Sequence, residues 1–181
     1  MRVIHTAIPD LLIIEPKVYG DDRGFFFESF SRRRFAELTG RDVDFVQDNH
    51  SRSAQNVLRG LHYQIQHPQA KLVRVVQGAV LDVAVDIRKS SPTFGKHIAV
   101  ELSADNKLML WIPEGFAHGF SVLTETAEFL YKTTDYWFPE HERCIRWDDP
   151  ALVIDWKLKA EPIVSGKDAQ GKSLAEADLF P

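Results

Sequence analysis

One cysteine, no block of basic residues and no uninterrupted apolar run of membrane length mark this 181-residue chain by what it lacks. With Cys144 alone, neither an intrachain disulfide framework nor a cysteine-based metal cluster can form, and a reducing, cytoplasmic location is expected. Lys and Arg number 22 against 26 Asp and Glu, a net charge of −4 without a basic tract. A nucleic-acid partner is therefore not expected, and any cationic site has to be locally concentrated. The opening MRVIHTAIPDLLII breaks its apolar portion with Pro9 and Asp10 and has no small-residue cleavage site, so neither a signal peptide nor a membrane span is expected. Internal repeats and low-complexity segments are missing too. What remains is 44% hydrophobic content, enough at this length for one well-buried core, and a single domain over residues 1–181 is expected.

Helix signals are sparse while turn signals are frequent. Gly20-Asp21-Asp22, Gly40, Gly78, Ser91-Pro92, Ala104-Asp105-Asn106, Pro113-Glu114-Gly115 and Asp148-Asp149-Pro150 punctuate the chain at short intervals. Alternation is clearest between Lys71 and Arg88, where Leu81, Val83, Val85 and Ile87 fall on one face and Asp82, Ala84, Asp86 and Arg88 on the other, with Gly78 as the turn. Further strands are predicted at His97–Leu102, Lys107–Ile112, Gly119–Leu123 and Ala127–Thr134. Two helices are predicted, Ser31–Leu38 with Ser31 as N-cap and Gly40 as stop, and a short one over Ser173–Ala177. The pattern is that of an all-β sandwich or jelly roll with a few short helices, whose open mouth usually holds the ligand.

Chemistry concentrates between Gln47 and Lys71, which carry three cations and three histidines. Arg recognises anions bidentately, His titrates near neutrality, and Lys is a compact charge suited to an oxyanion. Lys71 shares a strand face with Val73 and Val75. If that face is internal, the ammonium needs an anion or developing negative charge to offset its burial; otherwise it snorkels to water. His62 follows Arg59 by three residues, so in an extended strand the two point to opposite faces unless Gly60 bends the chain. A carboxylate on the far ring nitrogen would fix the His62 tautomer, and spacing leaves Asp82 and Asp168 as equal candidates.

Pro113-Glu114-Gly115-Phe116-Ala117-His118 matches the P-x-G-x-x-H second motif of cupins, in which His118 would be a metal ligand. The first motif should supply H-x-H, but the chain reads His62-Tyr63-Gln64. A full Zn or Fe ligand set is not expected, and His118 is read as a substrate partner or structural group. Tyr131 is either a core aromatic or, with its hydroxyl in the cavity, a proton donor. Phe25, Phe26 and Phe27, flanked by Arg23 and Glu28, cannot all face one core and suggest a subunit contact.

The segments QDNHS (47–51), LRGLHYQ (58–64), KLVRVVQGAVLDVAVDIRKSSPTFG (71–95), WIPEGFAHGF (111–120) and EFLYKTTDYW (128–137) together resemble the dTDP-4-dehydrorhamnose 3,5-epimerase family. That resemblance implies a dimeric, metal-free cupin, a double-stranded β-helix that needs no cofactor. It implies conversion of dTDP-4-dehydro-6-deoxy-D-glucose to dTDP-4-dehydro-β-L-rhamnose through enolates. Carried over, His62 is the base, Asp168 its partner, Lys71 the enolate stabiliser and Tyr131 the opposing acid. Arg59 and Arg23 match diphosphate and nucleotide contacts, Glu28, Gln47 and Asn49 the nucleotide side, and His118, Glu142 and Lys167 further substrate contacts. Rival readings are a single-carbon epimerase on a related nucleotide sugar, a metal-dependent cupin enzyme, and a non-catalytic sugar-binding module.

Overall fold

The computed structural model describes residues 1–181. The strands in chain order are β1 Arg2–His5, β2 Leu12–Glu15, β3 Tyr19–Asp21, β4 Gly24–Phe26, β5 Gln47–Ala54, β6 Leu58–Gln64, β7 Lys71–Gln77, β8 Ala79–Asp86, β9 His97–Ser103, β10 Met109–Ile112, β11 Phe116–Val122, β12 Thr126–Thr133 and β13 Glu142–Cys144. Two antiparallel sheets form, in the orders β1-β2-β10-β7-β12-β5 and β13-β6-β11-β8-β9, with β3-β4 as a separate hairpin. These facing sheets form the all-β jelly roll that the turn spacing predicts.

The inner faces meet in an apolar cluster that includes Val73, Val75, Val80, Ala84, Leu110, Phe116, Phe120, Val122 and Phe129. Strand β8 departs from the half-exposed reading of its alternation, because all eight of its residues are buried. Leu81, Val83, Val85 and Ile87 point away from the sandwich, into a second cluster closed by Ile145, Leu152, Trp156 and Leu174 of the C-terminal segment. Asp82 therefore lies on the interior side, not on a solvent face. A third cluster seats Phe35 against Leu12, Ile14, Leu72, Met109 and Trp111 on the outside of the larger sheet.

Phe35 belongs to the one α-helix, Arg32–Thr39, whose N-cap Ser31 accepts the Arg34 N–H and whose C-cap Gly40 adopts φ 69°. Ser and Gly are well suited to those two ends, since one supplies a side-chain acceptor and the other lacks a Cβ that would clash. The second predicted helix, Ser173–Ala177, is only a turn in which Ser173 O accepts the Glu176 and Ala177 N–H groups. Leu174 gives its N–H to Asp149 at 2.6 Å and buries its side chain in the second cluster, so tertiary anchoring replaces helix propagation. Short 3-10 turns stand instead at Pro139–His141 and Asp168–Gln170. Strand β10 begins two residues later than predicted, after Lys107 at φ 55°, and β11 begins three residues earlier.

Candidate active site

A cavity of about 340 Å³ opens between the sheets and is lined from both. The smaller sheet brings His62 and Arg59 from β6 and His118 from β11, while the larger sheet brings Lys71 from β7 and Tyr131 from β12. Tyr131 is the register partner of Val73, so on antiparallel strands it shares the inner face with Lys71 and Val75. The internal reading of Lys71 is the one the fold adopts.

Gly60 settles the spacing of Arg59 and His62. It sits at φ 118°, and between the pairs His62–His118 and Arg59–Phe120 the register against β11 shifts. The bulge turns both side chains into the cavity. A Cβ at Gly60 would meet Gly119 Cα at 2.6 Å and His118 O at 2.7 Å, so strand packing and backbone conformation both require glycine. Arg59 donates through Nε to Ser53 Oγ at 3.0 Å.

The two candidate carboxylates divide between two histidines. Asp168 Oδ1 lies 2.5 Å from His62 Nε2, while its Oδ2 accepts the Gly60 N–H at 3.4 Å and its own N–H donates to Ser165 Oγ. Burial works to raise Asp168, but the His62 hydrogen bond and charge outweigh it and hold the carboxyl below its ordinary value. Asp82 instead takes His118 Nε2, at 3.0 and 2.9 Å from its two oxygens, in a pair closed from solvent. Asp168 thus sits behind His62, outside the cavity lining, and leaves Nδ1 as the ring nitrogen free to exchange a proton.

Charge in the cavity is graded by burial. Burial lowers Lys71 from 10.5 to about 8, against the opposing fields of Glu142 and Asp82. Burial also raises Tyr131, aided by Glu142 and opposed by Arg59, so its phenol stays protonated at neutral pH. Glu142 is pushed upward by burial, yet hydrogen bonds from Lys167 and Trp137 and the field of His62 bring it below the ordinary carboxylate value. It is ion-paired to Lys167 and accepts the Trp137 indole N–H at 3.0 Å. This arrangement offers a base with its carboxylate, a cation and a neutral acid around one space.

Residues 5–176 match the model of the dTDP-4-dehydrorhamnose 3,5-epimerase family. The chain belongs to the dTDP-4-dehydrorhamnose 3,5-epimerase family. A protein of that name from Pseudomonas aeruginosa is 63% identical over 181 residues, covering 100% of both chains. Another from Salmonella typhimurium is 60% identical over 180 residues, covering 99% of this chain and 98% of its own. Among solved structures, the Legionella pneumophila epimerase in complex with dTDP-4-keto-L-rhamnose superposes with a TM-score of 0.96 at 56% identity, covering 98% of this chain and 94% of that one.

Against that family assignment, the cavity gathers His62, Lys71, Tyr131, Arg59, His118, Glu142 and Lys167. Gln47 and Asn49 lie outside its lining on edge strand β5, where Gln47 donates to Asn49 at 2.9 Å and accepts the Trp137 N–H at 3.2 Å. Arg23 and Glu28 are not brought to this cavity within the chain: Arg23 is paired with Asp21 on the β3–β4 hairpin and its side chain is 90% exposed. Ser51 and Gln69 also line the cavity and are not among the site residues expected from sequence. Ser51 continues the period-two series Gln47, Asn49 along β5, a signal hidden because QDNHSRSA is polar at every position but its last.

Gln64, which stands where metal-binding cupins place a second histidine, is committed elsewhere. Its amide donates to His67 O at 2.6 Å and Tyr136 O at 3.2 Å and accepts the Phe138 N–H at 2.8 Å, so it clips the 66–69 loop to the 135–138 segment. With Gln64 so engaged and His118 paired to Asp82, the donors needed for the usual cupin metal are not presented together in the cavity.

Proposed function

We propose that the chain is a dTDP-4-dehydrorhamnose 3,5-epimerase, an isomerase that inverts C3 and C5 of dTDP-4-dehydro-6-deoxy-D-glucose to give dTDP-4-dehydro-β-L-rhamnose, for dTDP-L-rhamnose biosynthesis. The observation that carries this reading is the placement of His62 on one sheet and of Lys71 and Tyr131 on the other, around one cavity. Both carbons flank the 4-keto group, so loss of either proton gives an enolate whose charge rests on the ketone oxygen. His62 Nδ1 takes the proton, Asp168 stabilises the resulting imidazolium, and Lys71 meets the oxyanion. Tyr131 gives its hydroxyl proton to the opposite face of the same carbon, and exchange with solvent resets both groups for the second centre. Nothing is oxidised or reduced overall, so the reaction calls for no nicotinamide, and a lysine at the oxygen takes the place of a Lewis-acid metal.

Arg59 and Lys167 supply positive charge for the diphosphate and sugar side, with His118 and Glu142 as further sugar contacts. Gln47 and Asn49 extend toward the nucleotide. For Arg23 and Glu28 we assign a role in the site of a second copy, within a homodimer in which the chain acts as a single domain. A cytoplasmic location is consistent with one unpaired cysteine, and no helix is long and apolar enough to cross a membrane. The test is incubation of the 4-keto sugar nucleotide in deuterated water. Inverted product labelled at both C3 and C5 is expected; label and inversion at one carbon alone would make this a single-centre epimerase, and no label at all would refute enolate chemistry.

A further inference from the structure

Behind the cavity, on the Asp168 side of His62, lies a set of ligand atoms that epimerisation does not use together. Cys144 on β13 is the register partner of His62, and its Sγ lies 4.0 Å from Asp168 Oδ1. Sγ, a His62 ring nitrogen and an Asp168 carboxylate oxygen all fall within 4.8 Å of one another. Neither Cys144 nor Asp168 lines the substrate cavity. A second opening of about 460 Å³ reaches Cys144 beside Gln170 and Lys172, on the far side of Tyr63, Glu142 and Lys167, which it shares with the substrate cavity.

We propose that Cys144, His62 and Asp168 form an inhibitory site for a thiophilic divalent cation of the zinc type, reached through the opening at Cys144. Thiolate, imidazole and carboxylate together are a donor set suited to Zn²⁺ and Cd²⁺ and poorly suited to Mg²⁺ or Ca²⁺. In a tetrahedral zinc site with bonds of about 2.0 to 2.3 Å, neighbouring ligand atoms stand roughly 3.3 to 3.6 Å apart. His62 Nε2 and Asp168 Oδ1, now 2.5 Å apart, must separate a little, and Cys144 must close slightly from 4.0 Å. Changes below about 1 Å bring these two separations into range, the Cys144 sulfur and the His62 ring nitrogen close from within 4.8 Å, and water completes the fourth position.

Binding releases the thiol proton to solvent, and the ring proton that Nε2 shares with Asp168 moves through solvent to Nδ1, so that His62 ligates as neutral imidazole through Nε2. Burial pushes the Cys144 thiol up to about 12, so without metal it is an inert, protonated group. Once bound, the ion withdraws electron density from the imidazole and takes the carboxylate that stabilises its charged form. His62 then loses its basicity while the substrate pocket stays open. The effect on turnover rests on His62 being the base, whereas binding does not.

The experiment is titration of the full chain with Cd²⁺, followed by the ultraviolet thiolate-to-cadmium charge-transfer band, in parallel with Zn²⁺ inhibition of epimerase turnover. The expected result is a saturable one-to-one band and a fall in kcat with KM nearly unchanged, both reversed by a chelator. Cys144→Ser, with Cys144→Ala as a second variant, should keep metal-free turnover, lose the band and require roughly 10- to 100-fold or more Zn²⁺ for inhibition. His62→Gln should weaken Cd²⁺ binding. Absence of the band in the wild type, equal zinc sensitivity of the Cys144 variants, or unchanged Cd²⁺ affinity in His62→Gln would overturn the proposal. A chain without epimerase turnover would refute the functional reading, and the cadmium band would still decide the metal site.

Discussion

Lys71 shows how far one side chain can be read from its neighbours. Its strand alternates, with Val73 and Val75 on the same face, and the fold puts that face inside. The cost of holding an ammonium there appears as its lowered value of about 8. Below that pH the group is charged and can meet an oxyanion; as pH rises through about 8 it becomes a neutral amine, and turnover should fall on that limb. Stability should move the other way. A lysine whose folded-state value lies below the unfolded 10.5 opposes folding while charged, and that cost is relieved as pH rises from about 8 toward 10.5. Lys71→Met should therefore raise Tm while lowering turnover by roughly 10² or more. An unchanged rate, or a lower Tm, would show that the ammonium has been assigned the wrong job. The partner of His62 was not legible in this way, because Asp168 lies 106 residues away in a loop with no periodicity. Only the folded chain separates it from Asp82, which went to His118.

At the scale of elements, alternation found the central strands and failed where one face carried no apolar signal. Strand β5 is polar up to its final Ala54 and is held by eight register pairs to β12, while β1 and β2 are recruited by β10 at the sheet edge. Strand β8 reads as two-faced although both faces are buried, because the covering C-terminal segment has almost no regular structure of its own. Gly60 was legible as a bend, and its contacts with Gly119 explain why the bend survives. Gly60→Ala should cost about 1–3 kcal/mol of stability by overpacking, beyond the strain of a positive φ. It should also cut turnover, since Arg59 and His62 depend on that bulge for their common direction. Urea denaturation together with steady-state kinetics would check both, and a variant of normal stability and rate would refute this role.

For the whole molecule, the exposed β3–β4 hairpin is the part that a single chain leaves unexplained. Phe25 and Phe26 are 64% and 72% exposed, more than an isolated surface would ordinarily show side by side. A homodimer that covers this hairpin and carries Arg23 into the partner's site should sediment as a dimer at micromolar concentration. Mixing Arg23→Ala chains with His62→Ala chains should then restore part of the activity that each lacks. A fully active monomer would exclude it. The aromatic run and its flanking charges mark this hairpin in sequence as the expected contact, and the fold leaves both rings exposed there.

The central claim is that protons leave and return on opposite faces, through side chains held on opposite sheets. The most direct measurement compares wild type with Tyr131→Phe in deuterated water, following hydrogen exchange at C3 and C5 alongside inversion. With His62 intact and the opposing donor gone, exchange should persist while inverted product falls much further. Equal loss of exchange and inversion would contradict the assignment of Tyr131 as the acid, and with it the two-sheet division of labour.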